Sequence, residues 1–230
     1  MNIAGFQRLT LLDFPGKTAA TVFTPGCNFR CPFCHNASLV LHTDEAEHYG
    51  EEEVLSYLKK RQGILDGICI TGGEPLLQKD IADFMEKVKS LGYKIKLDTN
   101  GSFPEKLREL VGKGLVDYVA MDIKNSKEKY AATVGIEKFD TSAVEESVSY
   151  LLSGMVDFEF RTTVVDELHT EEDIENIAVW IRGAKRYFLQ NFVDSGDILG
   201  DNLSAASREK LDSMRKIAEK YIDIVGVRGV

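Results

Sequence analysis

The sequence has no apolar run approaching the roughly 20 residues that a bilayer-spanning helix needs. Residues 1–12 lack the basic segment and following apolar stretch of a secretory leader. Both absences lead to the expectation of a cytoplasmic protein with no membrane partner. Basic residues are also short: 28 Lys and Arg stand against 37 Asp and Glu, for a net charge of −9. Binding through nucleic-acid phosphates needs a dense cationic surface, so that class is excluded, while small molecules and protein partners stay open. There are only four cysteines, and three of them fall between positions 27 and 34, leaving Cys69 apart. A secreted disulfide framework spreads and pairs its cysteines, whereas a tight odd-numbered group suits a metal or cluster site. No low-complexity stretch or Pro/Gly linker divides the chain, so residues 1–230 read as one domain.

The chain alternates between two textures. Residues 18–24, 67–71, 93–98, 116–122, 156–165 and 186–190 read as strands, and a short strand is expected near 223–227. Helices are predicted over 51–62, 80–91, 104–111, 141–152 and 204–221, with apolar side chains at helical spacing. Thr170 starts another, with Asp173 three residues later in the manner of a capping box. The acidic run Glu51-Glu52-Glu53 reads as a solvated helix start. Residues 27–42 read as irregular. Six strand–helix units in a row predict a parallel sheet covered by helices, an α/β fold of the partial (β/α)6 TIM-like barrel type. A full eight-stranded barrel typically needs about 250 residues.

The cysteine segment is Gly26-Cys27-Asn28-Phe29-Arg30-Cys31-Pro32-Phe33-Cys34-His35-Asn36. Thiolates spaced C-x3-C-x2-C can hold three corners of a [4Fe–4S] cubane and leave the fourth iron open for a substrate. A zinc site is the competing reading, but zinc favours four ligands in separated pairs, and His35 directly follows Cys34. Electron-carrier clusters usually take cysteine at every iron, which three cysteines do not supply.

Thr71-Gly72-Gly73-Glu74-Pro75 follows the second strand, where glycines let backbone approach a ligand. Asp98, Asp122 with Lys124, Arg161 and Gln190 fall at or near the ends of the third to sixth strands. Polar residues at the ends of successive parallel strands point into one mouth, and carboxylates mixed with lysine and arginine suit a zwitterionic ligand.

These motifs together resemble the radical S-adenosylmethionine (SAM) superfamily. The resemblance implies a [4Fe–4S] cluster on Cys27, Cys31 and Cys34, with SAM on the open iron. It implies that Phe33 packs on the adenine and that Gly72, Gly73 and Glu74 bind the SAM amino group. Asp13-Phe14-Pro15-Gly16, the Cys-His-Asn run at 34–36, Leu97-Asp98-Thr99-Asn100-Gly101 and Met121-Asp122-Ile123-Lys124 sharpen the likeness. They resemble the activases of glycyl radical enzymes, above all the anaerobic ribonucleotide reductase activating proteins, with the pyruvate formate-lyase activases as relatives. That likeness carries His35, Asp98, Lys124 and Arg161 into the SAM site. It implies a monovalent cation on Asp98, Thr99, Asp122 and the Ala120 carbonyl, and a contact of Asp13 with the partner's glycyl peptide. The partner would be a glycyl radical enzyme, and the electron donor flavodoxin or ferredoxin. The pyruvate formate-lyase activase has a histidine on its sixth strand, where this chain has Phe188-Leu189-Gln190-Asn191-Phe192-Val193, so Gln190 or Asn191 is left to stand in that place. Asp13 is followed by Phe14 rather than glycine. A small-molecule enzyme such as 7-carboxy-7-deazaguanine synthase shares the glycine motif, but its cysteine motif continues differently from His35-Asn36.

The remaining candidates read as structural. Cys69 is expected as a small core residue and Trp180 as core packing. Phe158 and Phe160 should pack under helices, and His42, His48 and His169 should serve surface or capping roles.

Overall fold

The structure, a computed structural model, describes residues 1–41, 48–194 and 196–229. The expectation for His42 lies outside these residues. Two compact units emerge: Met1–Asn28 with Ser38–Thr99 and Phe103–Val119, and Phe29–Ala37 with Asn100–Ser102 and Ala120–Val230.

In the first unit the strands are β1 (Gly5–Thr10), β2 (Ala19–Thr24), β3 (Gly67–Gly72) and β4 (Lys94–Thr99). β2, β3 and β4 pair in parallel, with Thr21 opposite Cys69 and Cys69 opposite Lys96. β1 runs antiparallel to β2, so the sheet is mixed and not wholly parallel as expected. The sequence hid β1 because its residues 7–9 are exposed, and no apolar alternation marks it. Gly5 makes the pairing close, since a Cβ there would press on the Phe23 ring at 3.1 Å.

The helices of this unit are α1 (Ala37–Leu41), whose first residue belongs to the second unit, α2 (Glu51–Lys60), α3 (Ile81–Ser90) and α4 (Pro104–Gly112). α1 corrects the reading of 27–42 as irregular throughout. α3 buries Ile81, Phe84, Met85 and Val88, the stripe its spacing predicted. α2 opens on the acidic run, where carboxylates favour the positive end of the helix dipole.

β5 (Tyr118–Asp122) begins in the first unit and ends in the second. The second unit then holds α5 (Lys127–Val134), α6 (Ser142–Leu152), β6 (Asp157–Val164), α7 (Glu171–Trp180), β7 (Arg186–Asn191), α8 (Arg208–Ala218) and β8 (Ile224–Arg228). β6, β7 and β8 pair in parallel in chain order. α5 was missed because it is short and mostly polar, yet it buries Tyr130, Thr133 and Val134 at spacing i, i+3, i+4. Thr170 and Asp173 complete the capping box at α7. α8 is shorter at both ends than the 204–221 expected, because Ser207 caps it and Ala205 bridges back to Val165.

Trp180 is half-buried at the end of α7, with the Lys127 ammonium 5.0 Å above its ring, so it is not the core residue expected. Phe158 and Phe160 are buried and meet edge to face, and Cys69 is wholly buried. Among the described residues, no helix is long and apolar enough to cross a membrane.

Candidate cofactor site

In the first unit, β2 leads through Gly26 to Cys27. The glycine turn after β3 docks on that approach: the Gly73 amide donates to the Thr24 carbonyl at 2.9 Å, and the Glu74 amide to the Gly26 carbonyl at 2.8 Å. Both glycines are dictated by space. A Cβ at Gly72 would overlap Thr24 backbone, and one at Gly73 would overlap the Gly26 carbonyl. Glu74 is wholly buried, and its carboxylate accepts from the Leu76 amide at 3.0 Å and the Thr99 hydroxyl at 2.8 Å. It thus braces the turn against the end of β4.

Asp98, second from the end of β4, pairs with the ammonium of Lys96, whose side chain is 2% exposed. Asp13 follows β1 rather than preceding the first strand, and its carboxylate accepts from the buried Thr21 hydroxyl at 2.6 Å.

The second unit carries Cys31, Phe33, Cys34 and His35 on one loop. α5 anchors this loop. The Arg30 amide donates to the Val134 carbonyl at 2.8 Å, and a Cβ at Gly135, where φ is +70°, would overlap the Arg30 carbonyl. Gly200 holds the other side, donating its amide to the Pro32 carbonyl at 2.8 Å. Phe33 is buried between the His169 ring, edge to face at 6.3 Å, and the Lys124 ammonium at 6.0 Å.

Asp122 ends β5 and accepts from Lys124 Nζ and Arg161 Nε, both at 2.9 Å. Burial disfavours the Asp122 carboxylate, but Arg161 and Lys124 outweigh it and hold the group well below the usual range. Burial likewise works against the Lys124 ammonium, and the charges of Asp122 and then Cys31 outweigh it, raising its pKa. Arg161 lies inside β6 rather than at its end, and reaches Asp122 through its length. Gln190 lies second from the end of β7.

Two residues that sequence reasoning undervalued complete the second unit's share. His169 is wholly buried rather than at the surface: its Nδ1 accepts from the Val165 amide at 3.1 Å, and Nε2 faces the Lys124 carbonyl at 2.8 Å. Tyr130, also buried, accepts from the Lys124 amide at 3.4 Å, and burial raises its phenol. No local signal marks His169, which acts on a residue 45 positions away, while Tyr130 reaches back six positions from α5. His35 packs on Phe192 at 5.5 Å, and burial, then Lys124, lowers its pKa, so it stays neutral.

The donor chemistry fits an iron–sulfur cluster with SAM. Cys27, Cys31 and Cys34 are all thiols, and the bare backbone of Gly72 and Gly73 adjoins the approach to Cys27. Among the described residues, no three His, Cys, Asp or Glu side chains converge as the ligands of one metal ion would.

An α/β chain with a thiol loop, a glycine turn and paired strand-end charges is organised as a cofactor-dependent enzyme. The family model of the radical SAM superfamily matches residues 21–181. A protein of Methanocaldococcus jannaschii assigned as a glycyl-radical enzyme activating enzyme is 34% identical, over 99% of this chain and 96% of its own. The 7-carboxy-7-deazaguanine synthase of Hyperthermus butylicus is 35% identical, but over only 42% of this chain and 40% of its own. A solved domain of pyruvate-formate lyase-activating enzyme from Bacteroides vulgatus shares the fold, with a TM-score of 0.59 and 16% identity, over 71% of this chain and 99% of that one. The chain belongs to the radical SAM superfamily and, within it, to the glycyl-radical enzyme activating group. The expected α/β fold is the one it shares with these enzymes, and membership implies SAM and a [4Fe–4S] cluster as cofactors.

Proposed function

We propose that this enzyme activates an anaerobic ribonucleotide reductase by forming a glycyl radical on it. The observation that carries an activase function is the 34% identity to an assigned activating enzyme along 99% of the chain, against 42% coverage by the deazaguanine synthase. The choice of reductase over a pyruvate formate-lyase-type partner, which stays the alternative, rests on the likeness of the whole motif set to the reductase activating proteins.

Cys27, Cys31 and Cys34 would hold the cluster. The cluster and SAM, once reduced by flavodoxin or ferredoxin, would supply the one-electron chemistry that removes a hydrogen atom from the partner's glycine. Phe33 would cover the adenine, held in place by His169 and Lys124. Lys124 and Arg161 would meet the SAM carboxylate, with Gln190 and His35 nearby along the cofactor. Gly72 and Gly73 would offer backbone to the SAM amino group. Asp13, oriented by Thr21, would meet the glycyl peptide. A monovalent cation at Asp98, Thr99, Asp122 and the Ala120 carbonyl would have to displace Lys96 from Asp98 and Lys124 from Asp122.

The test is anaerobic reconstitution with iron and sulfide, followed by dithionite, SAM and a purified anaerobic ribonucleotide reductase. The expected result is 5′-deoxyadenosine together with a glycyl radical spectrum on the reductase. Deoxyadenosine without that radical overturns the partner; no deoxyadenosine overturns the activity.

A further inference from the structure

Lys96 is a lysine buried inside a strand, between Ile95 and Leu97, and nothing in the proposed reaction uses its ammonium. Strand register sets it directly opposite Cys69 of β3, which is also wholly buried. Lys96 Nζ lies 3.6 Å from Cys69 Sγ, and Asp98 Oδ1 touches both, pairing with the ammonium and lying 3.6 Å from the sulfur. An amine, a thiol and a carboxylate are thus held in contact.

We propose that Cys69 and Lys96 form a covalent nitrogen–oxygen–sulfur bridge when the protein meets dioxygen. The thiol, the lysine ammonium and one O2 give S–O–NH, one water and one proton, and the Asp98 carboxylate takes that proton. Sulfur and nitrogen each give up two electrons, and each oxygen atom takes two, one atom becoming the bridge and the other the water. A 3.6 Å separation leaves space for one bridging atom after a small rotation of the lysine's terminal bonds. A disulfide would need a second thiol, whereas Cys69 has an amine against it. The bridged nitrogen is a weak base, so the reaction also removes the Lys96 cation from Asp98. Oxygen exposure would then alter the charge beside a residue of the proposed cofactor site; that consequence rests on the proposed function, and the bridge itself does not.

The test is peptide mass spectrometry of the full chain, purified anaerobically and divided into a sealed and an air-exposed sample. In the air-exposed sample a cross-linked species should join the peptides of Cys69 and Lys96, heavier by one oxygen and lighter by two hydrogens than their sum. A thiol reductant should remove it. Cys69→Ala and Lys96→Arg, the second keeping the charge beside Asp98, should each abolish it. Finding Cys69 after air exposure only as thiol, sulfenic or sulfinic acid or disulfide, with Lys96 unmodified, overturns the proposal. So does a cross-link that persists in Cys69→Ala. Neither outcome depends on whether the enzyme activates a reductase.

Discussion

His169 Nε2 donates to the Lys124 carbonyl at 2.8 Å, across 45 residues of sequence. The Val165 amide points at Nδ1, so that nitrogen is the acceptor and the proton sits on Nε2. One neutral imidazole therefore ties the loop after β6 to the residue after β5 and lies edge-on to Phe33.

His169→Ala should cost about 2–4 kcal/mol, because it strands a buried amide and a buried carbonyl at once. Denaturant unfolding measures the loss. SAM affinity, read by equilibrium dialysis on reconstituted protein, should fall as well, since the Phe33 ring loses one wall.

Burial depresses the His169 pKa in the folded chain. Its contribution to stability is therefore complete above the unfolded histidine value of about 6.5 and is lost as pH falls below it. Unfolding midpoints measured between neutral and mildly acidic pH should decline more steeply in the wild type than in His169→Gln.

Asp122→Asn should leave Lys124 and Arg161 without their shared carboxylate. With the three side chains 15–28% exposed, the cost should fall between the surface and buried limits, at about 2 kcal/mol. Because the Asp122 pKa is depressed on folding, this stabilisation is present above about pH 4 and is lost on further acidification. Chemical unfolding at neutral and acid pH should show the variant and wild type converging as pH falls.

Gly73→Ala should act by volume alone, since its Cβ would overlap the Gly26 carbonyl one residue before Cys27. Reconstituted iron and sulfide content should drop well below that of the wild type. An unchanged cluster content would show that the turn has room the structure denies it.

Much was legible in one dimension. The stripe of α3, the glycine turn and the cysteine loop could be read because each is local: helical period, backbone space and thiol spacing are properties of neighbouring residues. β1 and α5 were not legible. Edge strands and short polar helices carry little apolar period, and packing settles them. Lys96 was the missed signal, a charged residue inside an apolar strand that sequence alone could have flagged as buried.

The sequence by itself determined the cofactor chemistry, because three thiols at fixed short spacing and a glycine-only turn permit few ligands. Tertiary structure alone decided the company those groups keep: Lys124 over Phe33, His169 under Lys124, and Cys69 against Lys96. Those pairings depend on strand register and on loops meeting across dozens of residues. A buried polar side chain and an exposed one look the same until the chain has folded around it.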